Sequence, residues 1–164
     1  MIKLVFLDVD GCLSDGGIFN ANGGEELKRF DVKDGFLLQQ WNKMGFLSAI
    51  ITGKSSQIVA QRAELLGVKH CFQGVGNKLE KAEQILQQEG LSWEECACIG
   101  DDLNDIKLLK QVGFSFAPSD ATSEVLGVVK HRLTHRGGHG AVREMLERIL
   151  QQNGVWEEFL QRWL

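Results

Sequence analysis

Proline is almost missing from this chain, at one residue in 164, against 19 glycines. That excludes a proline-rich linker and points to tight turns and close backbone approaches. No apolar run nears the roughly 20 residues of a membrane-spanning helix. The Ile2–Leu7 run is too short for a signal-peptide core and ends at Asp8. The expectation is a cytoplasmic protein with no membrane partner. Positive charge is not in excess: 18 Lys and Arg face 22 Asp and Glu, for a net charge of −4. A nucleic-acid partner, which needs a basic face, is therefore disfavoured. A phosphorylated small molecule is not, because a metal and a few local cations can hold it. The four cysteines lack a zinc-binding spacing. Cys71, Cys96 and Cys98 sit in apolar, strand-like segments and read as reduced, buried small residues.

At 164 residues, 43% hydrophobic and 24% charged, the chain fits one globular domain spanning residues 1–164. Its organising stretch is Leu4-Val5-Phe6-Leu7-Asp8-Val9-Asp10-Gly11. The apolar run reads as a fully buried strand of a parallel sheet. It stops at two aspartates, and Gly11 permits a turn. In open α/β sheets ligands bind at the carboxyl ends of strands. Two acids that close do not both ionise comfortably unless a cation lies between them or one keeps its proton.

Further along, residues of about 13–31 surround an Asn/Gly-rich tip at 20–24 and read as a β-hairpin flap, whose Ile18, Phe19 and Phe30 need cover. A helix is expected from Asp34 to about Met44, and a strand from Phe46 to Ile51, ending at Thr52-Gly53-Lys54. Ser55 is placed to cap the next helix. A third strand covers Val68–Phe72. A helix then starts near Asn77 with Lys78 in its first turn, where a cation opposes the helix dipole. A fourth strand, Cys96–Gly100, runs into Asp101-Asp102-Leu103-Asn104-Asp105. A fifth covers Phe114–Ala117. A short helix is expected from Pro118-Ser119, a last strand at Val128-Val129, a glycine-rich segment at about 135–144 and a helix from Ala141. Strands alternate with helices throughout, so the fold class is α/β with a doubly wound, mostly parallel sheet.

The polar residues that close successive strands form one pattern: Asp8 and Asp10, Thr52, then Asp101, Asp102 and Asp105, with Lys78 just after the third strand. Parallel strands bring these ends to one rim. So many carboxylates suit Mg²⁺. A carboxylate can attack phosphorus, and a neighbouring acid can protonate the leaving alkoxide.

These segments, D-V-D-G-C-L-S-D-G, I-I-T-G-K, Lys78 and I-G-D-D-L-N-D, resemble the four ordered motifs of the haloacid dehalogenase superfamily of phosphatases. The resemblance implies a Mg²⁺-dependent phosphoric monoester hydrolase with Asp8 as nucleophile and Asp10 as general acid/base. Asp8, Asp101 and the Asp10 carbonyl would hold the metal. Thr52, Gly53 and Lys78 would bind the phosphoryl group, and Asp102 and Asp105 would support the site from behind. Cys12 departs from the Val or Thr more usual after D-x-D-G.

A hairpin stands where other members insert a cap domain, so the chain resembles the capless branch. The branch implies 3-deoxy-D-manno-octulosonate 8-phosphate as substrate, in lipopolysaccharide precursor synthesis. It also implies a homotetramer in which neighbouring subunits complete each site, and a glycine-rich carboxyl-terminal segment, Arg136 to Glu144, that folds over it. Arg62 matches an arginine reaching the adjacent site to meet the sugar-acid carboxylate. A relative acting on a nine-carbon sugar-acid 9-phosphate has Glu after T-G and a Lys three residues beyond that arginine. Here those positions are Lys54 and Leu65, so the eight-carbon substrate is expected and the nine-carbon one is the alternative. Two readings of other classes are a receiver-like phosphoacceptor, which would carry its metal-binding acids on the first strand and its phosphorylated aspartate later, and an inactive scaffold.

Overall fold

The computed structural model describes residues 1–164. In chain order the elements are β1 (Leu4–Leu7), β2 (Phe19–Asn20), β3 (Glu26–Leu27), α1 (Val32–Lys43), β4 (Leu47–Ile51), α2 (Gln57–Leu66), β5 (His70–Phe72), α3 (Lys78–Glu89), β6 (Cys96–Ile99), α4 (Ile106–Gln111), β7 (Phe114–Ala117), α5 (Ser123–Leu126), β8 (His131–Arg132), α6 (Ala141–Gln152) and α7 (Trp156–Gln161). Six strands form one sheet in the order β5-β4-β1-β6-β7-β8, and every pairing in it is parallel. β2 and β3 form a separate antiparallel hairpin, the only insertion between β1 and α1.

β1 sits mid-sheet, with Leu4 beside both Leu47 of β4 and Cys96 of β6. A strand in that position buries both faces, which is why its four residues are all apolar. Its side chains alternate between two cores. Val5 and Leu7 join Trp41, Leu38, Ala63 and Leu146 under α1, α2 and α6. Leu4 and Phe6 join Ile85, Leu86, Leu108 and Leu109 under α3 and α4. The helices thus divide between the two faces, and the carboxyl ends of β1, β4 and β6 meet at one edge. No helix is long and apolar enough to cross a membrane.

Local chemistry moves several expected boundaries. α1 begins at Val32 because the Asp31 carboxylate accepts from the amides of Lys33 (2.8 Å) and Asp34 (3.2 Å). The cap of α2 falls at Ser56, whose amide donates to Gln73 Oε1 at 2.7 Å, and not at Ser55. The helix expected from Pro118 starts at Ser123. The intervening backbone is committed elsewhere: the Ser119 amide donates to His135 O, and that of Thr122 to Asp101 O. Val128 and Val129 are not a strand, since their amides close α5 on Val125 O. The last strand is His131–Arg132, where the His131 ring stacks on Phe116 at 4.9 Å. Phe30 needs no outside cover. It packs against the core, with the Arg62 guanidinium 5.2 Å from its ring centre.

Candidate active site

The site grows from the turn that follows β1. Past Leu7 the chain makes one wide turn, Val9–Leu13, broken by Gly11 at φ +89°. A side chain on Gly11 would adopt a strained backbone and overlap the Asp101 carboxylate, so glycine lets the two acidic segments approach. Asp8 and Asp10 then open into a pocket of about 310 Å³ whose lining also includes Gly16, Thr52, Gly53, Lys54, Asp101, Asp102 and Asn104, none of them apolar.

Beneath this pocket lies a buried ionic knot. Lys78, the first residue of α3, is 3% exposed. Its Nζ donates to Asp8 Oδ1 at 2.8 Å and to Asp105 Oδ1 at 2.6 Å. The other oxygen of Asp105 accepts from the amides of Asp101 (3.0 Å) and Asp102 (3.3 Å), fixing the acidic turn after β6. Asp102 caps that turn through the Leu103 amide at 2.7 Å. Burial works against the Lys78 charge, but Asp8 and Asp105 outweigh it and raise its pKa. The helix-dipole penalty is answered by these two neighbours. Burial, then repulsion from Asp105, raises the Asp8 carboxyl against the pull of Lys78. Burial, then Asp8, pushes Asp101 up to about 8.

A divalent cation among these acids would relieve that repulsion. Oxygens of Asp8 and Asp101, together with the Cys12 sulfur, lie within 4.8 Å of one another. Hard carboxylate oxygens fit Mg²⁺. Cys12 is fully buried, and its thiol points to Asp101 Oδ1 at 3.8 Å as a weak donor, so it supports that acid from within.

The structure therefore gathers Asp8, Asp10, Thr52, Gly53, Lys54, Asp101 and Asp102 at one pocket and sets Lys78 and Asp105 under it. Arg62 is absent from this lining. It lies against Phe30 and donates to Asp31 O at 3.4 Å, and its Nε is buried without a partner. The glycine-rich segment does reach the site. Gly137 touches the Gly11 carbonyl so closely that any side chain would collide, and the Gly138 amide donates to Cys12 O at 3.0 Å. His70 is buried on Glu89 at 2.6 Å, whereas His135 and His139 are exposed.

Lys28 escaped the sequence reading. From the hairpin stem its Nζ reaches Asp10 Oδ1 at 2.6 Å, with the side chain 1% exposed. The available signal was strand alternation, which puts Glu26 and Lys28 on one face of the hairpin.

Strand order, acidic rim and buried lysine define a haloacid dehalogenase-like hydrolase, and residues 72–146 match that family. The 3-deoxy-D-manno-octulosonate 8-phosphate phosphatase of Escherichia coli K12 is 39% identical over 157 residues, covering 96% of this chain and 84% of the relative. The chain belongs to that phosphatase family. The Moraxella catarrhalis enzyme, solved with magnesium, phosphate and the sugar acid, superposes with a TM-score of 0.97 at 39% identity, covering 99% of this chain and 94% of the other. The cobalt-bound Haemophilus influenzae enzyme gives 0.90 at 37% identity, covering 94% and 91%.

Proposed function

We infer that this chain is a Mg²⁺-dependent phosphatase that hydrolyses 3-deoxy-D-manno-octulosonate 8-phosphate to the sugar acid and phosphate. The observation that carries the reading is the opening of Asp8 and Asp10 into one polar pocket with Thr52 and Asp101, over a lysine that already spans Asp8 and Asp105. Relatives at 39% identity act on, or are solved with, that chemistry.

In this reading Asp8 is the nucleophile, and the phosphoryl group passes to it as an aspartyl-phosphate. Asp10 donates a proton to the departing sugar oxygen and then takes one from the attacking water. Thr52, the Gly53 amide and Lys78 hold the phosphoryl oxygens. Asp8, Asp101 and the Asp10 carbonyl hold the metal, which when bound offsets phosphate charge and polarises the phosphorus. Asp102 and Asp105 keep the acidic turn in place. Lys54, at the pocket, supplies a counter-charge for the substrate carboxylate. Its cation favours the eight-carbon acid over the nine-carbon alternative.

We propose further that copies assemble as a homotetramer through the hairpin, with Arg62 serving a neighbour's site. Phe19 and Leu27 face each other in register and are 64% and 66% exposed, which supports a covered apolar patch.

Phosphate release from eight-carbon and nine-carbon sugar-acid phosphates, with and without Mg²⁺, tests the reading. The eight-carbon substrate is expected to have roughly tenfold or greater advantage in kcat/KM, about 1.4 kcal/mol in transition-state binding. Asp8→Asn is expected to abolish turnover and keep the unfolding transition. A preference for the nine-carbon acid would move the substrate, and an active Asp8→Asn would remove Asp8 as nucleophile.

A further inference from the structure

We propose that Lys28 is a positioning residue for the reaction: from the hairpin it anchors one oxygen of Asp10 so that the other is presented to the phosphate ester. The inference rests on the phosphatase reading and adds a residue to it.

The two oxygens of the Asp10 carboxylate have different surroundings. Oδ1 accepts from Lys28 Nζ at 2.6 Å and from Ser14 Oγ at 3.5 Å. No protein group donates to Oδ2, and Asp10 lines the pocket. A free carboxylate exchanges its oxygens by rotating about its last bond. The ion pair at Oδ1 opposes that rotation and leaves a single oxygen in one place for proton transfer. General acid catalysis needs that placement before it needs anything else.

Glu26, two residues back, brings Oε1 to 3.5 Å from the Lys28 Nζ, an ion pair without hydrogen-bond geometry. Lys28 thus stands to Asp10 as the group that orients the one moving the proton. Burying a lysine takes a charge from water, and its neighbours Leu27 and Arg29 on the same stem are exposed. The Asp10 carboxylate at the pocket offsets that cost. Arg29 fastens the stem further, through Nη1 to Gly138 O at 2.5 Å, and Gly138 holds the catalytic turn through Cys12 O. Hairpin, glycine-rich segment and catalytic turn are thereby linked around Asp10.

The test uses the full-length protein with Mg²⁺ and compares Lys28→Met with Lys28→Arg. Wild-type turnover comes first, and its absence would sink the phosphatase reading and not the role of Lys28. On the sugar-acid phosphate, Lys28→Met is expected to lose roughly 10- to 100-fold in kcat with KM within about twofold. Lys28→Arg is expected to recover most of that loss. On p-nitrophenyl phosphate the leaving group departs without a proton, so transfer to Asp8 stays fast and only water attack slows. Lys28→Met should therefore release a burst of p-nitrophenol, one equivalent per site, before a slow steady state. An unchanged kcat, a burst phase slowed as much as sugar-phosphate turnover, or an arginine variant no better than methionine would each overturn the proposal. If Lys28→Met loses its cooperative unfolding transition, Lys28→Gln, which keeps a polar stem and removes the charge, carries the same test. It should show the burst with a smaller loss in kcat, and the lack of a burst would count against Lys28 equally.

Discussion

Lys78 meets two carboxylates at once, Asp8 at 2.8 Å and Asp105 at 2.6 Å, and solvent barely reaches any of the three. Breaking such a buried pair by removing one partner costs about 3–5 kcal/mol, because the charges left behind stay buried. Lys78→Met is therefore expected to lower stability by about that amount, read from urea unfolding. A loss below roughly 1 kcal/mol would mean that the two acids are rehydrated or protonated in the variant. The same knot explains how the Asp8 carboxylate can sit so deep. Asp8 is penalised by burial, and Lys78 offsets part of that penalty while holding the carboxylate in place.

Among the elements, α1 and α6 are joined by a buried acid. Asp34 accepts from the amides of Gly140 (3.3 Å) and Arg143 (2.7 Å), which satisfies the start of α6 and secures the glycine-rich segment that precedes it. Burial pushes this carboxyl from 3.8 to about 6, against the pull of those two amides. In the unfolded chain it ionises near 3.8, so between that pH and about 6 the folded chain keeps a proton that the unfolded chain has lost. The stabilisation is full below the lower value and fades as pH rises through the upper one, by roughly 3 kcal/mol in all. Subtracting the stability of Asp34→Asn from that of the wild type isolates this group. The difference should fall between about pH 4 and pH 7, and a flat difference would show that Asp34 is not shifted.

For the whole molecule, the open question is how the hairpin's outward apolar pair is covered. Phe19→Ser with Leu27→Ser should convert the proposed tetramer to smaller species, measured by light scattering. KM for the sugar-acid phosphate should rise at the same time if neighbours complete the site. An unchanged mass would place the interface elsewhere on the surface.

Much of this was open to sequence reasoning because the signals were local and strong. An apolar run ending in D-V-D-G, a T-G-K after a second such run, and D-D-L-N-D after a third could only be strand ends with polar rims. Parallel connection then forces those ends to one edge. Sequence alone determined the α/β class, the acidic rim and the family. What escaped it was set by contacts between segments far apart in the chain. Strand alternation sets Lys28 on one face of the hairpin, and only folding laid that face on Asp10. Phe30 found its cover within the chain. His131, not Val128 or Val129, became the edge strand because its ring had Phe116 to stack on and the valine amides were taken by α5. Periodicity records which face of an element is buried, but the partner of a buried charge is fixed only when the elements pack.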